Sequence, residues 1–271
     1  MNILILAGGV SKRMGCDKSL IMRPDGRRQI DHITALAQQF SDSVFLSLRE
    51  KDSIATDLPI IEDIHPGEGP VAALESAAAT CGGPLLVIGC DLFLLDMETI
   101  ARLITRRDPA RNAVCFRNRI DGRAEPLCAI YESSALGLAA KALADGQRCA
   151  RRFLESMDPL MLDLPHPAAL DNANTPGQLD ECFLKLTSGV TPKKIRVLYF
   201  AKLREVRGCG EEEIETLACG AAGLYEEIRY RHRLPLELNA LRVAINGEFA
   251  DWKTRLSAGD EVVFIPPVAG G

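Results

Sequence analysis

Asn2-Ile3-Leu4-Ile5-Leu6-Ala7-Gly8-Gly9-Val10-Ser11-Lys12-Arg13-Met14-Gly15-Cys16-Asp17-Lys18 is the stretch on which the fold turns. From residue 2 to residue 7 the run is continuously apolar, with no alternation. That is the pattern of a strand covered on both faces, as in a parallel α/β sheet. The glycines that end it let backbone N–H groups approach an anion with no Cβ in the way. Arg13 can fork onto terminal phosphate oxygens, and Lys18 offers a compact charge where negative charge grows on an attacked phosphorus. The spacing is neither that of a P-loop nor that of a dinucleotide fingerprint. Taken alone, the glycines would equally suit a solvated turn. Their position after a buried strand, with Arg13 and Lys18 following, favours a phosphate site.

Working outward, strand and helix alternate. Apolar residues at Ile30, Ile33, Leu36, Ala37 and Phe40 predict a helix over 29–40. Strands are expected over 43–48 and 59–62, and a Gly- and Pro-rich loop over 63–70. An alanine-rich helix over 71–81 stops at Gly82-Gly83-Pro84, and a wholly apolar strand, 85–90, ends at Asp91. A helix over 97–106, strands over 113–117 and 129–131, and helices over 133–144 and 150–157 follow. The alternation predicts a three-layer α/β domain with a mainly parallel sheet, ligands binding at the carboxyl ends of strands. Gly8-Gly9 and Asp91 both fall there.

The pattern changes at 187–194, where small residues, Pro192 and two lysines read as a semi-flexible linker. Beyond it come strands over 195–200 and 212–217, a helix over 221–233, a hairpin around Asn246-Gly247 and a last strand over 261–265. That order in under about 80 residues fits a small α+β fold of the β-grasp type. The expected organisation is therefore a first domain over 1–186, a linker over 187–194 and a second domain over 195–271.

Composition limits the function. The chain has 271 residues, 47% of them hydrophobic and 25% charged, with a net charge of −5. It carries no basic field, so nucleic acid is not an expected partner. Nine cysteines lie singly, with neither zinc spacing nor C-x-x-C pairs, which points to a reducing cytoplasm with most of them buried as small hydrophobes. The apolar start is too short and too uncharged for a signal peptide, and the stretch 84–95 is broken by Asp91, so no membrane span is expected.

A carboxylate at the end of an apolar strand needs a partner. For Asp91 the choices are a helix N-cap, a salt bridge, or a Mg²⁺ ligand bridging nucleotide phosphates, a role in which one carboxylate suffices. His32 and His65 read as structural.

The segment from Leu6 to Lys18 resembles the signature of the molybdenum cofactor guanylyltransferases. In the same order follow Ile30-Asp31-His32, Asp63 with Gly69-Pro70, Cys90-Asp91, Glu125-Pro126-Leu127 and Asn172-Ala173-Asn174-Thr175-Pro176. The resemblance implies a nucleotidyltransferase fold with GTP and molybdopterin as substrates and Mg²⁺, replaceable by Mn²⁺, as cofactor. The terminal phosphate of the pterin would attack the α-phosphorus of GTP and release pyrophosphate. It further implies that Leu6, Ala7, Gly8 and Gly9 line the nucleotide site with Lys18 and Asp91. Arg13, Lys18 and Asp91 would then be catalytic, Asp91 the metal ligand, Asp63 near the base or ribose, and Asn172 and Asn174 on the pterin side. By their own chemistry the two asparagines could equally be turn formers before Pro176. Phe93, Ala73 and Ser47-Leu48-Arg49 depart from the family pattern, which keeps CTP open as the alternative nucleotide. An inactive nucleotide-binding domain that tethers the second half is the alternative of another class.

The tail Ile265-Pro266-Pro267-Val268-Ala269-Gly270-Gly271 follows a strand directly, stiffened by prolines, and without side chains could thread a channel over roughly 20 Å. Together with 195–205 and 259–271 it resembles the molybdopterin synthase small subunit, a ubiquitin-like sulfur carrier. The resemblance implies that a carrier-adenylating enzyme activates the Gly271 carboxylate, which becomes a thiocarboxylate. The large subunit of molybdopterin synthase would then take up the tail for sulfur transfer. Both resemblances fall in one biosynthesis.

Overall fold

In the computed structural model, residues 1–7, 14–48 and 54–267 are described. Gly8, Gly9, Arg13, Arg49, Gly270 and Gly271, to which the sequence assigns roles or departures, lie outside these. The chain forms two compact units, Met1–Asn172 and Ala173–Gly271.

The first unit runs β1 (Asn2–Leu6), α1 (Gln29–Gln38), β2 (Val44–Leu48), β3 (Ile60–Glu62), α2 (Pro70–Thr80), β4 (Leu85–Gly89) and α3 (Met97–Thr105). It continues through β5 (Ala113–Arg117), β6 (Ala124–Tyr131), α4 (Ser133–Leu136), α5 (Ala139–Ala144), α6 (Ala150–Glu155) and β7 (Leu160–Leu162). The seven strands lie in the order β3-β2-β1-β4-β6-β5-β7. All neighbours pair in parallel except β6, which runs antiparallel to both β4 and β5.

The unbroken apolar run of β1 is explained by its two faces. Ile3 and Ile5 pack in the core that includes Ile30 and Ile33 of α1 and Ile100 and Leu103 of α3. Leu4 points into the opposite core, with Val71 and Leu74 of α2 and Phe153 of α6. This is the expected three-layer arrangement. Strand order reverses at β1, with β2 and β3 on one side and β4 on the other, so a topological switch point opens at the carboxyl ends of β1 and β4.

Several elements differ from the sequence reading. β6 is eight residues long, because Pro126 is accommodated where the β5–β6 register shifts between Cys115 and Arg117. The helix expected over 133–144 is two, α4 and α5, interrupted at Gly137 and Leu138. The short edge strand β7 carries too few residues to show a period.

The second unit opens on α7 (Pro176–Ser188), followed by β8 (Lys193–Tyr199), α8 (Ala201–Arg207), β9 (Glu211–Thr216), α9 (Ala221–His232), β10 (Arg242–Ile245), β11 (Glu248–Ala250) and β12 (Glu261–Ile265). The sheet order is β11-β10-β12-β8-β9, with β12 and β8 parallel at the centre and antiparallel pairs outside, the β-grasp arrangement. Leu224, Tyr225 and Ile228 of α9 close its core over Val197, Val262 and Phe264. The hairpin turn places Asn246 and Gly247 both at positive φ, 52° and 85°, as Asn-Gly turns require.

α7 was not apparent in the sequence, and with β8 it takes up half of the stretch 187–194, leaving 189–192 between them. It belongs to the second unit through buried charges. Glu181 accepts the N–H groups of Cys219 and Gly220 at the start of α9 (2.5 and 2.9 Å) and pairs with Lys185 at 3.3 Å, both side chains almost fully covered. A carboxylate there satisfies orphan donors at a helix N-terminus.

Candidate active site

The switch point is built by the ends of two neighbouring strands. Leu6 faces Gly89 across β1 and β4, and the Leu6 carbonyl accepts the Cys90 N–H at 3.1 Å. Asp91 therefore emerges beside the place where the chain leaves β1. Gly89 has no room for a side chain: an added Cβ would lie 2.7 Å from Asp91 Oδ1 and 3.1 Å from Leu127 Cβ.

Lys18 opens a short 3₁₀ turn, Lys18–Leu20, capped by Asp17, whose Oδ1 accepts from the Ser19 N–H and hydroxyl (2.9 and 2.6 Å). From it Lys18 Nζ reaches 3.6 Å from Asp91 Oδ2, both side chains partly open to solvent. Lys18 and Asp91, 73 positions apart in sequence, are brought together. Of the three choices for Asp91, the salt bridge is present. The N-cap role belongs instead to Asp96, which accepts the Thr99 N–H of α3 at 2.8 Å.

Asp63 lies just beyond β3, where it accepts a hydrogen bond from the Ser47 hydroxyl at 3.3 Å. Fully buried Ser76 of α2 fixes the next residue by accepting the Ile64 N–H at 2.8 Å. Asn172 closes the first unit directly after Asp171, which is clamped by the Arg119 guanidinium at 2.7 and 2.9 Å. Asn174 lies in the second unit, where its N–H donates to Gln178 Oε1 at 2.8 Å ahead of the Thr175 cap of α7, a turn-forming contact of the kind its chemistry allows.

Burial, aided by the charges of Arg23 and Arg27, holds His32 down to about 4, so it is neutral at pH 7. His65 sits exposed, 3.5 Å from Glu75.

Residues 3–160 match the MobA-like NTP transferase domain family, more than half of the chain. The chain belongs to that family. Residues 197–271 match the ThiS family. Among curated relatives, a molybdenum cofactor biosynthesis bifunctional protein of Synechocystis sp. is 31% identical over 177 residues, covering 64% of this chain and 51% of that protein. The chain thus spans about half the length of that relative. A probable molybdenum cofactor guanylyltransferase of Mycobacterium avium is 28% identical, covering 65% of this chain and 91% of the relative. Among solved structures, molybdopterin-guanine dinucleotide biosynthesis protein A from Archaeoglobus fulgidus superposes with a TM-score of 0.60 at 23% identity, over 69% of this chain and 99% of that one, which shows the shared fold.

Within this family frame, Glu125 of the Glu125-Pro126-Leu127 motif joins the surroundings of Asp91. It is buried in β6 on the strand beside β4, where Asn118 Nδ2 donates to it at 2.5 Å and Arg151 at 3.2 Å. Burial pushes its carboxyl up despite both partners, and the Asp91 charge adds to the rise. Arg23 and Gln29 were not apparent in the sequence. Both are buried beside the Asp91 loop, and no local pattern marks a polar side chain whose partner is a distant carbonyl.

The site fits a hard divalent cation in one respect. Among the described residues no cluster of three His, Cys, Asp or Glu side chains could hold a metal. A magnesium ion that keeps its waters and takes substrate phosphate oxygens needs only one or two carboxylates, which Asp91 can supply. Among the described residues no helix is long and apolar enough to cross a membrane.

Proposed function

We propose that this chain acts in molybdenum cofactor biosynthesis, its first unit transferring GMP from GTP to the terminal phosphate of molybdopterin and its second carrying sulfur. The observation that carries the first assignment is the pairing of Lys18 with Asp91 at 3.6 Å, at the switch point of a MobA-like sheet.

In this reading the triphosphate lies over the ends of β1 and β4, against the backbone of Leu6, Ala7, Gly8 and Gly9. Arg13 and Lys18 bind its phosphate oxygens. Asp63 lies near the base or ribose, and Asn172 faces the pterin. Magnesium, or manganese in its place, would be held by Asp91 and would supply neutralisation of the triphosphate charge. A pterin phosphate oxygen forms a bond to the α-phosphorus, the bond from that phosphorus to the bridging oxygen breaks, and pyrophosphate leaves with the electron pair. The nucleophile is already ionised at neutral pH, so no general base is needed, and positioning with charge neutralisation are the protein's tasks.

For the second unit, the ThiS match and the β-grasp sheet support a carrier whose Gly271 carboxylate is adenylated by a separate enzyme and converted to a thiocarboxylate. The large subunit of molybdopterin synthase is the partner that would accept its tail. Nine free cysteines support a reducing cytoplasm as the setting.

Incubation with molybdopterin and GTP labelled at the α-phosphorus tests the first assignment. Label should pass into a pterin dinucleotide, and the same label on CTP should not. Transfer from CTP alone would replace the guanylyl assignment, and no transfer from either would leave the first unit a tether.

A further inference from the structure

We infer that Arg23 and Gln29 form a buried positioning pair that sets Lys18 against Asp91, an inference that rests on the nucleotidyl-transfer reading of those two residues. Arg23 is 6% exposed and Gln29 is fully covered. Arg23 Nη1 donates to Gln29 Oε1 at 2.6 Å and to the Phe93 carbonyl at 2.9 Å, and Gln29 Nε2 donates to the Leu92 carbonyl at 3.3 Å. The two carbonyls belong to the residues that follow Asp91 directly.

The same pair is tied to the Lys18 side. The Gln29 N–H donates to the Ile21 carbonyl at 2.9 Å, and Ile21 in turn donates to the Lys18 carbonyl at 3.3 Å. Between these points the chain folds back on itself, with Met22 bridged to Arg28 and the Arg23 N–H bound to the Arg27 carbonyl at 2.9 Å. Arg23 thus stands at the root of a small loop that carries Lys18 at one end and joins α1 at the other. Two buried hydrogen bonds, to the Leu92 and Phe93 carbonyls, fasten the pair to the segment that carries Asp91. Buried donors and acceptors of this kind are costly to leave unmatched, so the contacts fix one arrangement of the two segments. Through these contacts Arg23 and Gln29 act on Lys18 and Asp91 by way of the backbone that holds them.

The test compares the full chain with Arg23→Met, Arg23→Lys and Gln29→Met, using Lys18→Ala and Asp91→Asn as references. Hydrogen exchange read at the amides of 19–21 and 92–95 is expected to rise in Arg23→Met and Gln29→Met, while the amides of β1 and β4 stay protected. In pyrophosphate release, the Mg²⁺ concentration for half-maximal rate should increase roughly tenfold, with the KM for molybdopterin unchanged and Arg23→Lys intermediate. Unchanged exchange in both segments overturns the inference, and so does raised exchange with unaltered Mg²⁺ dependence and kcat. Should Arg23→Met fail to fold, Gln29→Met and Arg23→Lys decide by the same measurements. If Lys18→Ala and Asp91→Asn retain full turnover, the transfer reading itself falls and takes the inference with it. If those two are inactive while the pair's variants match the parent, the positioning role alone is wrong.

Discussion

At Gly89 the backbone of β4 passes so close to Asp91 and Leu127 that a single methyl group has nowhere to go. Gly89→Ala must push the Asp91 carboxylate aside, since that is the softer neighbour. The expected result is a fall in kcat of roughly 10- to 100-fold, with a stability loss of only about 1–3 kcal/mol, read by turnover and by urea unfolding of the same sample. A second residue-scale prediction concerns His32. Its pKa in the folded chain is about 4 against an ordinary value of 6.5, so below 6.5 the unfolded chain takes up the proton that the folded one refuses. Its contribution is therefore whole above about pH 6.5 and is lost as pH falls towards 4, by about 2–3 kcal/mol. His32→Asn should flatten that part of the difference in unfolding free energy between pH 7 and pH 4.5. At this scale the sequence showed Lys18 and Asp91, because their chemistry is marked by a glycine-rich strand end and by a charge closing an apolar run. Arg23, Gln29 and Glu125 stayed hidden, because what defines them is a partner far away in the chain.

Among the elements, legibility followed burial. β1 and β4 were plain, being apolar at every position because both faces are covered. Most of β6 was obscured by Pro126, which sits at an irregularity in the ladder. α7 was obscured more thoroughly, because the face it buries carries Glu181 and Lys185 where an apolar stripe would be sought. That helix gives the clearest element-scale prediction. Glu181→Ala strips the start of α9 of its acceptor and removes a carboxylate partner from the buried Lys185 ammonium, at a cost of about 3–5 kcal/mol. Gly223→Ala should also destabilise the unit, since its Cβ would press into the Glu181 carboxylate. A fragment beginning at residue 173 should be markedly more stable to urea than one beginning at residue 190. Equal stability would show that α7 contributes nothing to the carrier fold.

Over the whole molecule, a MobA-like unit and a ThiS-like unit share one chain, and under the proposed function both serve the same cofactor. The fold of each unit was visible from strand and helix order, while the divide near residue 172 was not, since it depends on which core α7 joins. For the carrier, intact-mass analysis of protein from its own cells should find a fraction heavier by one oxygen-to-sulfur exchange, absent after deletion of Gly271. The central claim, that the first unit transfers a nucleotide at the Lys18–Asp91 site, is tested most directly by pyrophosphate release from GTP and Mg²⁺. Release is predicted only when molybdopterin is present, falling at least about 100-fold in Asp91→Asn. Release that is the same with and without molybdopterin, or undiminished in Asp91→Asn, would contradict it.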